Sequence, residues 1–198
     1  PVPAGEWNIT PGCPADASGN PTGGILFNWQ NIRPFGVPPP KSGYWLDKFL
    51  PAPPPEITSN IYAKAYDEVK RLGSIGSTER PDDRTIVVRF YAATSPTYLF
   101  HSVARQLAEG SGNSLTANAR ILGLISIATN DSLVASFATK YHYLYWRPVT
   151  AIRGGDTDDN SKTEPDAAFT PLIVTPCFPS YPSNHASGSN AALEVLRR

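Results

Sequence analysis

The chain has 198 residues, of which 40% are hydrophobic and 17% charged, values of a folded globular protein that exclude a wholly disordered one. Seventeen basic and seventeen acidic residues cancel, and no run of like charge marks a nucleic-acid surface or a polybasic membrane tether. Any anion site must then be local, made by a few positioned cations. The longest apolar run, Ile121–Ala128, is broken by Gly123 and Ser126 and falls short of the ~18 residues that a bilayer crossing needs, so no membrane span is expected.

Residues 1–56 are rich in Pro and Gly (PVPAG, PGCPADASGNPTGG, RPFGVPPP, PAPPPE), which rules out long helices and central strands because proline fixes φ and removes a donor. Trp7, Phe27, Trp29, Phe35, Tyr44, Trp45 and Phe49 make the segment too apolar for a linker. It reads as an ordered, extended arm that lays aromatic rings on a core built elsewhere. Within it, Asn8-Ile9-Thr10 is a glycosylation sequon, and Asn130-Asp131-Ser132 is a second one further on. Cys13 and Cys177 can pair in an oxidising compartment or stay apart, and two cysteines do not decide between these. A secreted or vacuolar location is favoured. The chain begins at Pro1 and contains no Met, which reads as a processed or partial sequence.

From residue 57 the pattern turns helical. Apolar residues at 61, 62, 65, 66, 69 and 72 form a 3.6-residue stripe over Ile61–Leu72, with Gly73 as a natural C-cap. Arg84–Ala93 reads as a helix entered after Asp82-Asp83, although its β-branched run also suits a strand. Tyr98–Ala108 ends at Gly110. Leu115–Thr129 opens at Asn113-Ser114, good capping residues, and Ser132–Trp146 follows as its hairpin partner, stopped by Pro148. A last helix, Ala186–Arg197, offers Ala191, Ala192, Val195 and Leu196 for packing but has no following partner. No alternating strand pairs and no repeats occur. The expected fold is all-α: a helical bundle over 57–198, lacking its C-terminal portion, with a Pro-rich, aromatic-bearing N-terminal arm at 1–56 wrapped on it.

Two segments carry chemistry. In KYHYLYWRP, Lys140 and Arg147 are seven residues apart, and on one helix they would lie within ~20° of each other, two turns apart. So placed, they converge on one anion, Lys as a point charge and Arg as a fork. In CFPSYPSNHAS, three prolines lead into Ser183-Asn184-His185 and then a helix rich in small residues. Open N–H groups and the positive dipole end there favour an anion, and His185 can move a proton. Each segment has a plain reading as well, a solvated helix face and a Ser N-cap beside a surface His.

Together they match a pattern. Lys, six residues and Arg-Pro, followed by Pro-Ser-Gly-His, is the signature of the superfamily of vanadium-dependent haloperoxidases and type 2 phosphatidic acid phosphatases. Lys140–Pro148 and Pro182-Ser183-Asn184-His185 resemble it, as do YHYLYWRPVTAIR, TPCFPSYPSNHAS and the Pro/Trp-rich start, on the soluble haloperoxidase-like side. The resemblance implies vanadate, or phosphate in its place, held by Lys140, Arg147, Ser183 and the backbone N–H of Asn184, with His185 as the catalytic acid/base. It implies Phe178, and Phe137 one turn before Lys140, as lining for halide or substrate. Hydrogen peroxide and halide would be the substrates of a haloperoxidase; a phosphate ester would be that of a soluble acid phosphatase on the same site.

Two departures qualify this. Asn184 stands where the family has Gly, and its side chain could crowd the anion. The family's third segment, Ser-Arg followed by His and Asp, has no counterpart after His185, so its vanadium-ligating His is expected beyond residue 198 and no metal ligand within the chain. A homologue without catalysis is therefore a further reading, and association with a second copy or with a C-terminal fragment an expectation. His101 carries no motif, and His142 is expected to face away from Lys140.

Overall fold

A computed structural model of the chain describes residues 2–40 and 43–198; the side chains of Tyr44, Leu46 and Asp47 lie outside the described ones, so the place of the Tyr44 ring in the arm is not defined. The fold is all-α, a helical bundle, with helices α1 Gly43–Lys48, α2 Asn60–Gly73, α3 Asp82–Ala93, α4 Pro96–Ser111, α5 Leu115–Tyr143, α6 Pro148–Arg153 and α7 Asn184–Leu196. Short 3-10 turns occur at Phe27–Asn31 and Gly155–Thr157. Among the described residues, extended pairing is limited to isolated bridges such as Glu6 with Tyr145.

Local chemistry explains most helix ends. Ser59 caps α2, its hydroxyl accepting from Tyr62 N, and Ser95 does the same for α4 through Tyr98 N. Pro96 occupies the first turn of α4, where its missing N–H costs nothing. Helix α4 stops at Gly112, not Gly110, because Gly112 adopts φ 66°, a left-handed closure that favours glycine. The β-branched run of α3 is helical, and Asp82 and Asp83 sit in its first turn rather than before it.

The expected hairpin of Leu115–Thr129 and Ser132–Trp146 is instead one helix, α5, of 29 residues. Asn130-Asp131-Ser132 does not break it, because each side chain is used from within a helical backbone. Ser132 Oγ donates back to Thr129 O, and the Asp131 carboxylate accepts the backbone N–H groups of Phe35 and Gly36 at 2.9 and 2.6 Å. The break falls at Leu144, which takes φ 49°, and the chain then runs extended to Arg147. Pro148 opens α6 rather than closing the helix before it: proline disfavours α geometry for the preceding residue and is pre-set for a first helical position. By length and composition α5 could cross a membrane, a test that the core helix of a folded domain also passes.

The chain divides into two compact units. The first comprises Pro1–Phe27, Ala52–Arg89 and Lys140–Tyr181. Its core joins Tyr62 and Tyr66 of α2 to Trp146, Val149, Ala151, Ile152 and Phe169. Burial of Val149, Ile152 and Phe169 contributes about 1.5–3 kcal/mol each. Residues 158–182 have almost no regular structure and are held by side chains: Tyr66 Oη donates to Glu164 O, and Asp158, 1% exposed, accepts from Thr163 Oγ1. A disulfide joins Cys13 to Cys177 across a sequence separation of 164.

The second unit comprises Asn28–Pro51, Phe90–Thr139 and Pro182–Arg198. Helix α7 does find a partner, the earlier helix α4. Ala192 is fully buried with Phe100, Ala104 and Ile125, and Gly188 lets Pro96 approach where a Cβ would meet it at 3.4 Å. Of the arm's aromatics in this unit, Trp45 is 1% exposed whereas Phe35 is 74% exposed.

Candidate anion site

Lys140 lies in the last turn of α5 and is 1% exposed. Its Nζ donates to Pro179 O and Ser180 O at 2.8 and 2.9 Å and stands 5.0 Å from the centroid of the Phe178 ring. Arg147 is not on that helix. It is the extended N-cap residue of α6, and the two cations meet only because the chain turns at Leu144. Arg147 Nε donates to Phe178 O at 2.6 Å, and its guanidinium carbon lies 4.6 Å from the Phe178 ring. The i, i+7 helical face inferred from spacing is thus replaced by convergence on one aromatic ring, whose face attracts both charges.

The loop beneath them is fixed from several directions. Ser180 N donates to Tyr145 O, Cys177 is tied to Cys13, and Cys177 O accepts from Ile25 N. Prolines 176, 179 and 182 stiffen the same stretch, so the carbonyls of residues 178–180 are presented in fixed directions. Neither Lys140 nor Arg147 forms an ion pair among the described residues; the ion pairs there involve Arg71, Arg84 and Arg198. Burial, reinforced by the neighbouring Arg147 charge, pushes the Lys140 ammonium down to about 7. Burial also pulls Arg147 down to about 10, against the Tyr141 phenol, which raises it. Arg147 Nη2 is buried with no protein partner.

A buried lysine beside a half-buried arginine, with no ion pair among the described residues and one unused buried donor, is costly unless an anion completes it. An oxyanion such as vanadate or phosphate fits this donor set. Guanidinium N–H and ammonium N–H are both charge-assisted donors, and among the described residues no carboxylate pairs with either.

The other sequence-predicted residues lie in the second unit. Ser183 caps α7, with Oγ accepting from Ala186 N at 3.2 Å, which leaves its hydroxyl proton available. Asn184 is the first helical residue, and no positive φ is needed there. Its side chain turns onto α5, where Oδ1 accepts from the buried Ser136 hydroxyl at 2.6 Å, so it is drawn aside from the helix terminus. The Asn184 and His185 amides have no intrahelical partner, as at any helix start. His185 is exposed; its Nε2 lies 3.1 Å from Tyr91 O and its ring meets Tyr91 edge-on.

Phe137 is buried and packs against Trp29 within the second unit. His142 is exposed and rests edge-on to Tyr143. His101 is held by Thr97 O and Ser126 Oγ. Among the described residues no group of His, Cys, Asp and Glu could hold a metal ion. Sequence reasoning missed the Pro179 and Ser180 carbonyls and Ser136; only the clustered prolines hinted at the first two, and nothing marked Ser136.

Comparison with known proteins places these features in context. Residues 120–198 match the family model of the VCPO second helical-bundle domain. The vanadium chloroperoxidase of Curvularia inaequalis is 26% identical over 209 residues, covering 90% of this chain and 34% of that protein. The crystal structure of a bacterial vanadium-dependent iodoperoxidase superposes with a TM-score of 0.74 at 25% identity, covering 98% of this chain and 44% of the other. The chain therefore spans about a third to under half of the length of these relatives. Fold, motif segments and relatives agree, and all three make the chain similar to the vanadium haloperoxidase superfamily.

Proposed function

We propose that this chain supplies part of a vanadate-dependent haloperoxidase site, one that oxidises halide with hydrogen peroxide. The observation that carries the reading is the buried Lys140 beside the half-buried Arg147, which form no ion pair among the described residues and leave one buried guanidinium donor unused. The two named relatives, a chloroperoxidase and an iodoperoxidase, support it. Lys140 and Arg147 would neutralise the oxyanion's charge. Ser183 would donate its hydroxyl proton, and Asn184 its backbone N–H. His185 would deliver the proton that is consumed when halide and peroxide become hypohalous acid and water. Bound vanadate supplies a Lewis-acidic, redox-silent centre for that oxidation.

A phosphoryl-transfer site needs the same charge cradle, because five-coordinate vanadate resembles the geometry through which phosphoryl transfer passes. The purified protein, with vanadate supplied, should brominate or iodinate a phenolic dye when peroxide is added. Phosphate-ester hydrolysis inhibited by vanadate, without halide oxidation, would make it an acid phosphatase instead. If calorimetry detected neither vanadate nor phosphate binding, the chain would be a homologue without catalysis.

A further inference from the structure

We propose that Asn8, and not Asn130, accepts an N-linked oligosaccharide when this chain passes through a glycosylating secretory compartment. The two sequons are equal as sequence and unequal as structure. Asn8 is exposed in irregular backbone. Its Oδ1 accepts from Ile9 N at 2.8 Å, while its Nδ2 has no protein partner among the described residues. Asn130 lies in the middle of α5 and is partly buried, with Nδ2 donating to Asp131 Oδ1 at 3.2 Å. Asp131, the central residue of that sequon, is itself 6% exposed and bonded to the Phe35 and Gly36 amides. A glycan there would have to sit against a packed helix.

The order of folding points the same way. Helix α5 is made of local contacts and forms on a microsecond scale once synthesised. The segment around Asn8 is tied to the rest of the chain by distant partners: Glu6 pairs with Tyr145, Trp7 N donates to Leu144 O, and Cys13 bonds to Cys177. Thr10, whose hydroxyl a transferase must read, is 4% exposed in the folded chain and lies 3.9 Å from Cys13 Sγ. Cys13 waits for a partner 164 residues later, so the sequon stays open through most of synthesis. The disulfide is an independent mark of an oxidising compartment.

In the transfer itself, Asn8 Nδ2 attacks the anomeric carbon of a polyprenyl-diphosphate-linked oligosaccharide. A C–N bond forms, the C–O bond to the diphosphate breaks, the lipid diphosphate leaves, and the amide proton passes to a base of the transferase. The test is secretion from yeast or insect cells, with intact mass read before and after peptide N-glycosidase, and peptide mapping of the unaltered chain. Mapping should find the glycan on Asn8 and none on Asn130. Asn8→Gln should lose the whole glycan mass and Asn130→Gln none of it. Cys177→Ser should be occupied at Asn8 at least as fully as the parent chain. A bare Asn8 in disulfide-bonded protein, or a glycan mapped to Asn130, overturns the proposal.

Discussion

In the first unit, Lys140 and Arg147 are sunk against Phe178 and clasped by carbonyls of an irregular, proline-rich loop. In the second, Ser183, Asn184 and His185 stand at the start of a regular helix, Ser183 and His185 exposed and the terminus steadied by a cap and one side-chain bond to α5. Both arrangements offer donors to an anion, at different cost. A helix terminus presents N–H groups that were never satisfied, so little is lost when no anion is bound. A buried lysine beside a half-buried arginine is destabilising until the charges are neutralised, and the loop that holds them has no ladder of its own to rely on.

The largest expected effect separates these two ways of holding a site. The Cys13–Cys177 bond ties the arm to the loop that carries Phe178 and closes a span of 164 residues. Replacing both cysteines by Ser should cost about 3–5 kcal/mol of stability. Hydrogen exchange should show where: the Ile25 and Ser180 amides should lose protection, while the α4 and α7 amides that surround Ala192 keep theirs. Equal loss in both units would break the comparison.

A second effect concerns charge. Burial holds Lys140 at about 7, whereas the unfolded chain keeps that proton up to the ordinary 10.5. Between those values the unfolded state binds more protons, so stability rises with pH across the window and is lowest below about 7. An anion reverses the balance, because it binds the protonated lysine. Sulfate, which does not titrate there, should lose affinity about tenfold per pH unit above 7. Calorimetry in buffers of different ionisation enthalpy should register the proton taken up. Lys140→Met should bind sulfate weakly and with no such slope. A flat profile in the parent chain would sink the idea.

The same contrast explains what could be read in the sequence. Amphipathic α2 and the capping serine of α7 announce themselves, since each depends on neighbours within one or two turns. The pairing of Lys140 and Arg147 was legible as a motif but not as geometry. Their convergence depends on Leu144 entering the left-handed region, for which a leucine gives no signal. Asn130-Asp131-Ser132 reads as a break until its side chains find uses inside a continuous helix, one of them on amides 95 and 96 residues away. The irregular stretch after α6 is specified by tertiary hydrogen bonds and a disulfide, which spacing alone does not reveal. Its prolines exclude helix and strand without saying what replaces them.

The smallest effect tests whether the second unit's terminus tolerates Asn184 because of Ser136. The Ser136 hydroxyl is buried and donates to Asn184 Oδ1, which draws the side chain onto α5. Ser136→Ala removes that donor, leaves the amide without its partner and lets it swing over the helix start. The expected cost is about 1 kcal/mol, or roughly fivefold in vanadate affinity. Asn184→Gly alone should bind vanadate about as well as the parent, since the backbone N–H remains and nothing is left to be held aside. The pair of changes should then behave like Asn184→Gly, with the penalty of Ser136→Ala gone. Additive losses in the double variant would mean that Ser136 merely fills space in α5. A parent chain that binds no vanadate would fault the proposed function instead, so calorimetry on the four proteins keeps the two questions apart.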